Sequence, residues 1–394
     1  MILKIRTITV ALSVVFALGF VAQAQTASTF TTGLTLPNKI INAGDNSMLV
    51  SEAGTPTPNT GRISLVDRAN GARQTLISGL PSGVNNLGGA PAPSGPSGII
   101  LHGHTLYVTI TSGDAVFNVG PGREEPSPNP PSSPLYCSIL ELTLPGNYET
   151  LTSPFAMTLP NQASLASGES VDLTNADGQT MSVRMVADLP NFRPEPRPGF
   201  PNNVRASNLF GVEYYKKQLY VVDASFNLLR KVDIASGDFE TFATFAPKPN
   251  PLFPFGPPMV EAVPDSVHRV GNRLNITFLT GFPFGPGVAE VHQVSLKNGS
   301  QSTLIPGLRS AIDSLRVDNE GGSSSYYTLE FSANQLGNPP VPGVLKYFAT
   351  ADAAPVVVNS TMLFPTSMAR DEESGDIFVT NIFLGRITRI QFGP

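Results

Sequence analysis

Apolar positions in this chain fall in short alternating runs separated by turn residues, and residues 208–244 show the pattern most plainly. The segment reads NLFGVEYYKKQLYVVDASFNLLRKVDIASGDFETFAT. Its apolar runs, at 209–214, 218–223, 228–233 and 239–244, are strand-length and rich in Val, Leu, Tyr and Phe. Ser225, Ser236, Gly237 and Asp238 bound them as turn residues. The links are only a few residues long, which predicts an up-and-down antiparallel meander. A lone four-stranded sheet cannot bury both of its faces, so copies of it must pack alongside.

The copies are present. An aliphatic-aromatic-Val pattern marks the second strand of each, ending at Val50, Val108, Val221, Ile276, Thr328 and Val379. These positions lie 58, 113, 55, 52 and 51 residues apart. A recurrence of roughly 40–50 residues with strand content is the signature of a β-propeller, one blade per repeat. Alternating third strands follow, as at 61–67, 228–233, 289–294 and 385–390. Fourth strands ending in Thr-Leu and then Gly-Leu appear at 74–80 and 302–308. The last copy has no fourth strand of its own. Residues 29–34, TFTTGL, match a fourth-strand ending with no unit before them. The predicted fold is therefore all-β: a six-bladed propeller of four-stranded antiparallel blades, its ring closed by the N-terminal strand so that no blade edge is left unpaired. The double interval holds insertions at about 112–136 and 155–206, one Pro-rich and one with a hairpin signal at Ala176-Asp177-Gly178. A seventh blade is the alternative for that region.

Composition adds compartment. Lys4 and Arg6 precede an apolar run at 7–21 and a small-x-small signal at Ala22-Gln23-Ala24, the pattern of a signal peptide over residues 1–24. That run is shorter than the ~20 residues a membrane helix needs. A single domain over 25–394, secreted or periplasmic and monomeric, is expected. The 36 Gly and 37 Pro argue for many turns, and 14% charged residues with 41% hydrophobic residues argue against wholesale disorder. A net charge of −5 offers no basic stripe for nucleic acid. The lone Cys137 excludes an internal disulfide and begins an apolar strand, so it reads as a packed thiol.

Candidate chemistry gathers where first strands begin and second strands end, the two sides of one channel mouth. Glu52, Asp223 and Glu330 stand there. With Asn38, Ser97, Ser266, Asp313, Thr366 and Ser367 nearby, they form a candidate oxygen-ligand site for calcium. A metal-dependent lactonase would use such a cluster to polarise a carbonyl. The competing interpretation is that these carboxylates cap strand ends. His102-Gly103-His104 has metal-like spacing but falls at a tight turn on the opposite face. His268 and His292 fall within strand patterns and read as packed. A second signal is apolar. Phe-Pro-Phe-Gly-Pro occurs at 253–257 and again at 282–286, in two loops expected side by side at the same mouth. Phe253, Phe255, Phe282 and Phe284 are thus either a surface for a hydrophobic ligand or partner, or a lid packed on itself.

The segments LNITFLTGFPFGP (274–286), VPDSV (263–267), NLFGVEYYKKQLYVVDASFNLLRKVD (208–233) and GLPSGVNNLGGAPAPSGPSGIILHGHTLYVTI (79–110) resemble the ScyD/ScyE family over nearly the whole mature chain. These are secreted bacterial proteins, some encoded with the biosynthesis genes of the pigment scytonemin. The resemblance implies a six-bladed propeller outside the cytoplasm and no agreed activity. Three function classes follow: a binding protein presenting a ligand or partner surface at the channel mouth, a metal-dependent lactonase-like hydrolase, and an extracellular structural or adhesion module.

Overall fold

In a computed structural model of the chain, residues 25–392 are described. Residues 1–24, where a signal peptide is expected, lie outside them. The architecture is nearly all-β, with one α-helix, α1 (Leu159–Ala166), among the described residues. Six main sheets follow one another along the chain, each with its first four strands in antiparallel order. The first sheet runs Pro37–Ala43, Ser47–Glu52, Gly61–Asp67 and Arg73–Leu80. The third is the meander Leu209–Tyr215, Gln218–Asp223, Leu228–Asp233 and Phe239–Thr244. The fourth opens with Pro264–Val270 and Arg273–Phe278, and the fifth with Ala311–Asp318 and Ser324–Glu330. The sixth joins Pro365–Arg370, Ile377–Asn381 and Arg386–Phe392 to the N-terminal strand Gln25–Thr31. That strand pairs antiparallel along Arg386–Phe392, from Gln25 opposite Phe392 to Thr31 opposite Ile387. Among the described residues no sheet closes on itself.

The second sheet departs from expectation. Its strands are Pro96–His102, Thr105–Ile110, Ser138–Thr143 and Thr180–Asp188, with Val171–Thr174 added outside. Its fourth strand thus comes from within the segment expected to be an insertion. No Thr-Leu-then-Gly-Leu ending marks it, because α1 and a hairpin turn lead into it instead. The Pro-rich stretch is not a bare loop either. Val116–Gly120 and Arg123–Pro126 pair with each other, and the second of them joins Val204–Ala206 and Phe192–Pro194 in a subsidiary sheet. Half-buried Glu124 secures it by accepting from the Ala206 N–H.

Alternation decides what each sheet buries. Leu49, Val50, Leu106, Val108, Leu219, Val221, Leu274, Ile276, Leu329 and Val379 of the second strands are fully buried. They meet apolar residues of the neighbouring sheet, so the core runs as separate layers between sheets. The first strand of each sheet lies against that of the next, and that of the sixth lies against that of the first. Every one of the six pairings between first and second strands shifts register near the start of the first strand. Such a bulge re-aims side chains, and here it hands polar groups across sheets. Asn38 donates to the Pro96 carbonyl at 2.8 Å, Ser97 to that of Leu209 at 2.7 Å and Thr366 to that of Pro37 at 2.9 Å. Just before four of these strands Leu36, Val263, Ser310 and Phe364 have φ of 52°, 50°, 45° and 49°. Left-handed backbone at non-glycine residues costs on the order of 1–3 kcal/mol each and persists only where its surroundings impose it.

Candidate functional site

Glu52, Asp223 and Glu330 do end their second strands, and all three are buried. They do not gather as a metal-ligand group. Each serves its own sheet by accepting the backbone N–H that leads into the first strand: Thr35 to Glu52 at 2.5 Å, Asn208 to Asp223 at 3.1 Å, Arg309 to Glu330 at 2.9 Å. Each also faces a cation of the third strand: Arg62 at 2.7 Å, Arg230 at 3.6 Å and Lys346 at 2.5 Å, respectively. The Glu52 oxygens additionally accept from Thr35 and Ser64 hydroxyls, and those of Asp223 from Ser207 and the Phe226 N–H. Burial still pushes the Asp223 carboxyl above the usual range against those donors. Among the described residues no three or more His, Cys, Asp or Glu side chains form a group able to hold a metal. The physical reason is competition: oxygens already accepting hydrogen bonds from their own strands do not turn to a common centre. Strand-end capping is what these carboxylates do.

The histidine pair at the turn is likewise divided. His102 stacks on Tyr214 at 4.0 Å between ring centres, while His104 meets Tyr148 edge-on at 6.0 Å. His292 pairs with Glu290, which Lys248 also contacts. Cys137 is fully buried, and burial raises its thiol far above the ordinary range, which leaves it unreactive.

The aromatic loops come together as expected. Gly256 of the first loop is seated against Pro283 of the second, and Gly285 of the second against Pro251 before the first; a Cβ there would lie 3.1 Å and 2.7 Å from the prolines. Both Phe–Pro bonds, 253–254 and 282–283, are cis. The first loop is braced by Asn250, whose amide donates to the Phe255 and Pro257 carbonyls. Arg309 braces the second by donating to the Phe284 carbonyl at 3.1 Å. Backbone, proline rings and the Phe255–Phe282 ring pair thus make the contact between loops, while three of the phenyl rings keep about half of their surface open. Phe253, Phe255 and Phe282 are 59%, 55% and 47% exposed. Phe255 lies 5.5 Å from Phe282, which lies 6.3 Å from half-buried Phe284. Phe253 belongs to the same loop without joining those ring pairs. The same end of the fifth and sixth sheets carries a second run, in which Phe331, Phe364 and Phe383 stack successively at 5.2 and 5.0 Å. Leu336, Leu363, Phe383 and Leu384 are exposed there. This extension lacked the proline-framed repeat that made the first patch visible in sequence.

A polar cluster between the first strands was not anticipated as a unit. Lys39 of the first sheet reaches across to Asp313 of the fifth at 3.0 Å, and His268 Nε2 of the fourth lies 2.7 Å from the other Asp313 oxygen. Ser367 Oγ and the Met368 N–H of the sixth sheet donate to Asp313 at 2.9 and 3.0 Å. Lys39 and His268 hold the Asp313 carboxyl far below the usual range despite complete burial. Asp265 is the opposite case. It is 4% exposed, its Oδ2 has no hydrogen-bond partner, and burial beside ionised Asp313 pushes it well above the usual range. Asp313 and Ser367 are readable as channel-facing from strand position alone. His268 reads in sequence only as a packed strand residue, and nothing in the sequence pattern links Lys39 to it.

No family model matches the chain, and no curated protein matches it in sequence. Solved structures do match in fold. An auxiliary nutrient binding protein from Bacteroides thetaiotaomicron superposes with a TM-score of 0.53 at 10% identity, covering 94% of this chain and 77% of its own. A structural genomics protein of unknown function from the same organism superposes with a TM-score of 0.50 at 10% identity, covering 94% and 76%. At such identities the likeness concerns the fold alone.

Proposed function

We propose that the chain is an exported six-bladed β-propeller of the ScyD/ScyE family that works as a binding protein, taking a hydrophobic small molecule on the Phe253, Phe255, Phe282 and Phe284 loops. The observation that carries the binding role is the outward exposure of three of these rings from loops held together by Gly–Pro contacts and the Phe255–Phe282 pair. A lid would bury its rings against itself. The braced loops lose little conformational freedom when a ligand lands, which favours affinity. Covering two such rings is worth roughly 3–6 kcal/mol. The description of one fold neighbour as a nutrient binding protein agrees with a binding role at this coarse level. Export rests on the N-terminal segment, and no helix among the described residues is long and apolar enough to cross a membrane. The blade count is supported by six successive main sheets and by the contact of the sixth first strand with the first. The lactonase alternative draws no support from carboxylates already committed to strand ends.

Titration with a fluorescent hydrophobic probe such as 1-anilinonaphthalene-8-sulfonate tests the ligand surface. Wild type should bind saturably. Phe255→Ser and Phe282→Ser should each weaken uptake by about tenfold or more, the worth of one ring's burial, with little change in melting temperature. A wild type that takes up no probe, together with a strongly destabilised Phe282→Ser, would establish a sealing lid instead.

A further inference from the structure

The first strands end, away from the aromatic loops, around a cavity of about 680 Å³ bounded by the first, fourth, fifth and sixth sheets. We propose that this cavity is a second binding site, for a neutral polyhydroxylated molecule of the size of a one- or two-ring sugar. Its volume lies in the range of small-molecule sites, with room for roughly twenty waters. Six polar side chains line it: Asn42, His268, Arg316, Asp318, Arg370 and Glu372. Arg316 and Asp318 pair at 2.6 Å. Arg370 and Glu372, two positions apart in the lining, form no ion pair among the described residues. Two guanidinium groups thus balance two carboxylates. An anion would meet Asp318 and Glu372, and a cation Arg316 and Arg370, so neither gains a net attraction. An apolar guest would strip water from six polar groups and return no hydrogen bonds. A hydroxyl both donates and accepts, so adjacent hydroxyls satisfy a guanidinium and a carboxylate at once. Half-buried Ile41, Leu315 and Val317 complete the wall and suit the C–H face of such a ring.

The buried cluster beneath gives the site a fixed floor. Asp313, fully buried and held by Lys39, Ser367 and the Met368 N–H, engages Nε2 of His268. The imidazole is therefore oriented, with Nδ1 left for a guest. Preorganisation of this kind is what separates a binding site from a chance hollow. The cavity is independent of the aromatic loops, which leave the sheets at the other ends of these strands.

Calorimetry and saturation-transfer NMR with glucose, mannose, maltose, sucrose and myo-inositol, on the chain from residue 25, test the proposal. At least one should bind saturably. Arg370→Ala and Glu372→Gln should each weaken that binding by about tenfold or more, as loss of a charge-assisted hydrogen bond does, with unchanged melting temperature. Phe282→Ser should leave it intact, which separates this site from the aromatic one. Saturable binding of none of the five would overturn the proposal. So would sugar binding indifferent to both cavity variants, or acetate or ammonium binding in the cavity more tightly than every sugar.

Discussion

Asp265 and Asp313 lie close enough to feel each other's charge, yet their protonation is driven in opposite directions. Asp313 has Lys39, His268 and several hydrogen-bond donors around it, so ionisation is favoured. Its contribution to stability is present above the unfolded carboxyl value of about 3.9 and is lost as pH falls below it. Asp265 has burial, a neighbouring carboxylate and an oxygen with no donor. Its folded state holds the proton more tightly than the unfolded chain does, so stability declines as pH rises above about 3.9 toward the raised value. Asp265→Asn removes that penalty. The variant should gain on wild type as pH rises above about 3.9, and the gain should be largest at alkaline pH. The gain should shrink as pH is lowered toward about 4. Melting curves over this range check it, and a variant less stable than wild type at every pH would show that Asp265 is ionised and paired. None of this is legible in the sequence, where Asp265 is one acid in a Pro-Asp-Ser-Val run. What decides its state is burial, reinforced by Asp313 some fifty residues away and one sheet over. Glu52, Asp223 and Glu330 are the reverse case, since strand position alone locates them. Their partners, a backbone N–H ahead of the first strand and a cation on the third, separate a cap from a metal ligand, and only the folded sheet brings those together.

At the scale of elements, second strands are the most legible part of the fold. Their apolar runs are short, regularly spaced and buried on both faces, so composition and period agree. The fourth strand of the second sheet is the least legible, because an inserted helix and hairpin separate it from its neighbour in sequence. Bulges in the first strands leave no clear sequence mark either, although they let adjacent sheets approach closely. Gly98 shows how closely. A Cβ on it would lie 1.9 Å from the Phe210 carbonyl oxygen of the next sheet, a backbone atom that cannot swing aside. Gly98→Ala should therefore cost about 1–3 kcal/mol as an overpacking change. Gly88→Ala, at a glycine with nothing within 4 Å of the added carbon, is the control and should be nearly neutral. Denaturant unfolding of the pair measures the difference. Equal midpoints would mean that the second and third sheets part easily at this point.

For the whole molecule, the question is how the two ends of the chain share one sheet. Gln25–Thr31 supplies the outer strand beside Arg386–Phe392, so the sixth sheet is built from residues at opposite ends of the sequence. Five sheets can form from contiguous chain, whereas this one requires both termini to meet. The N-terminal strand is exposed over most of its length, with Thr31 buried and Phe30 half-buried at its inner end. Phe30 packs at 4.8 Å from buried Phe378, and the Thr31 hydroxyl donates to the Gly71 carbonyl of the first sheet. The Leu34 N–H donates to the Gly385 carbonyl, fastening the linker between the first and sixth sheets. Removing residues 25–34 would thus delete a strand ladder, an aromatic contact and a tie between two sheets, while exposing the edge of Arg386–Phe392. The truncated chain should unfold at a melting temperature several degrees lower or more, since about 1 kcal/mol moves a domain of this size by a few degrees. It should also associate through the bared edge. A synthetic peptide of residues 25–34 added in trans should restore part of the loss by re-forming the ladder. If the truncated chain melts as wild type does and shows no new association, the N-terminal strand is an appendage and the sixth sheet stands on three strands.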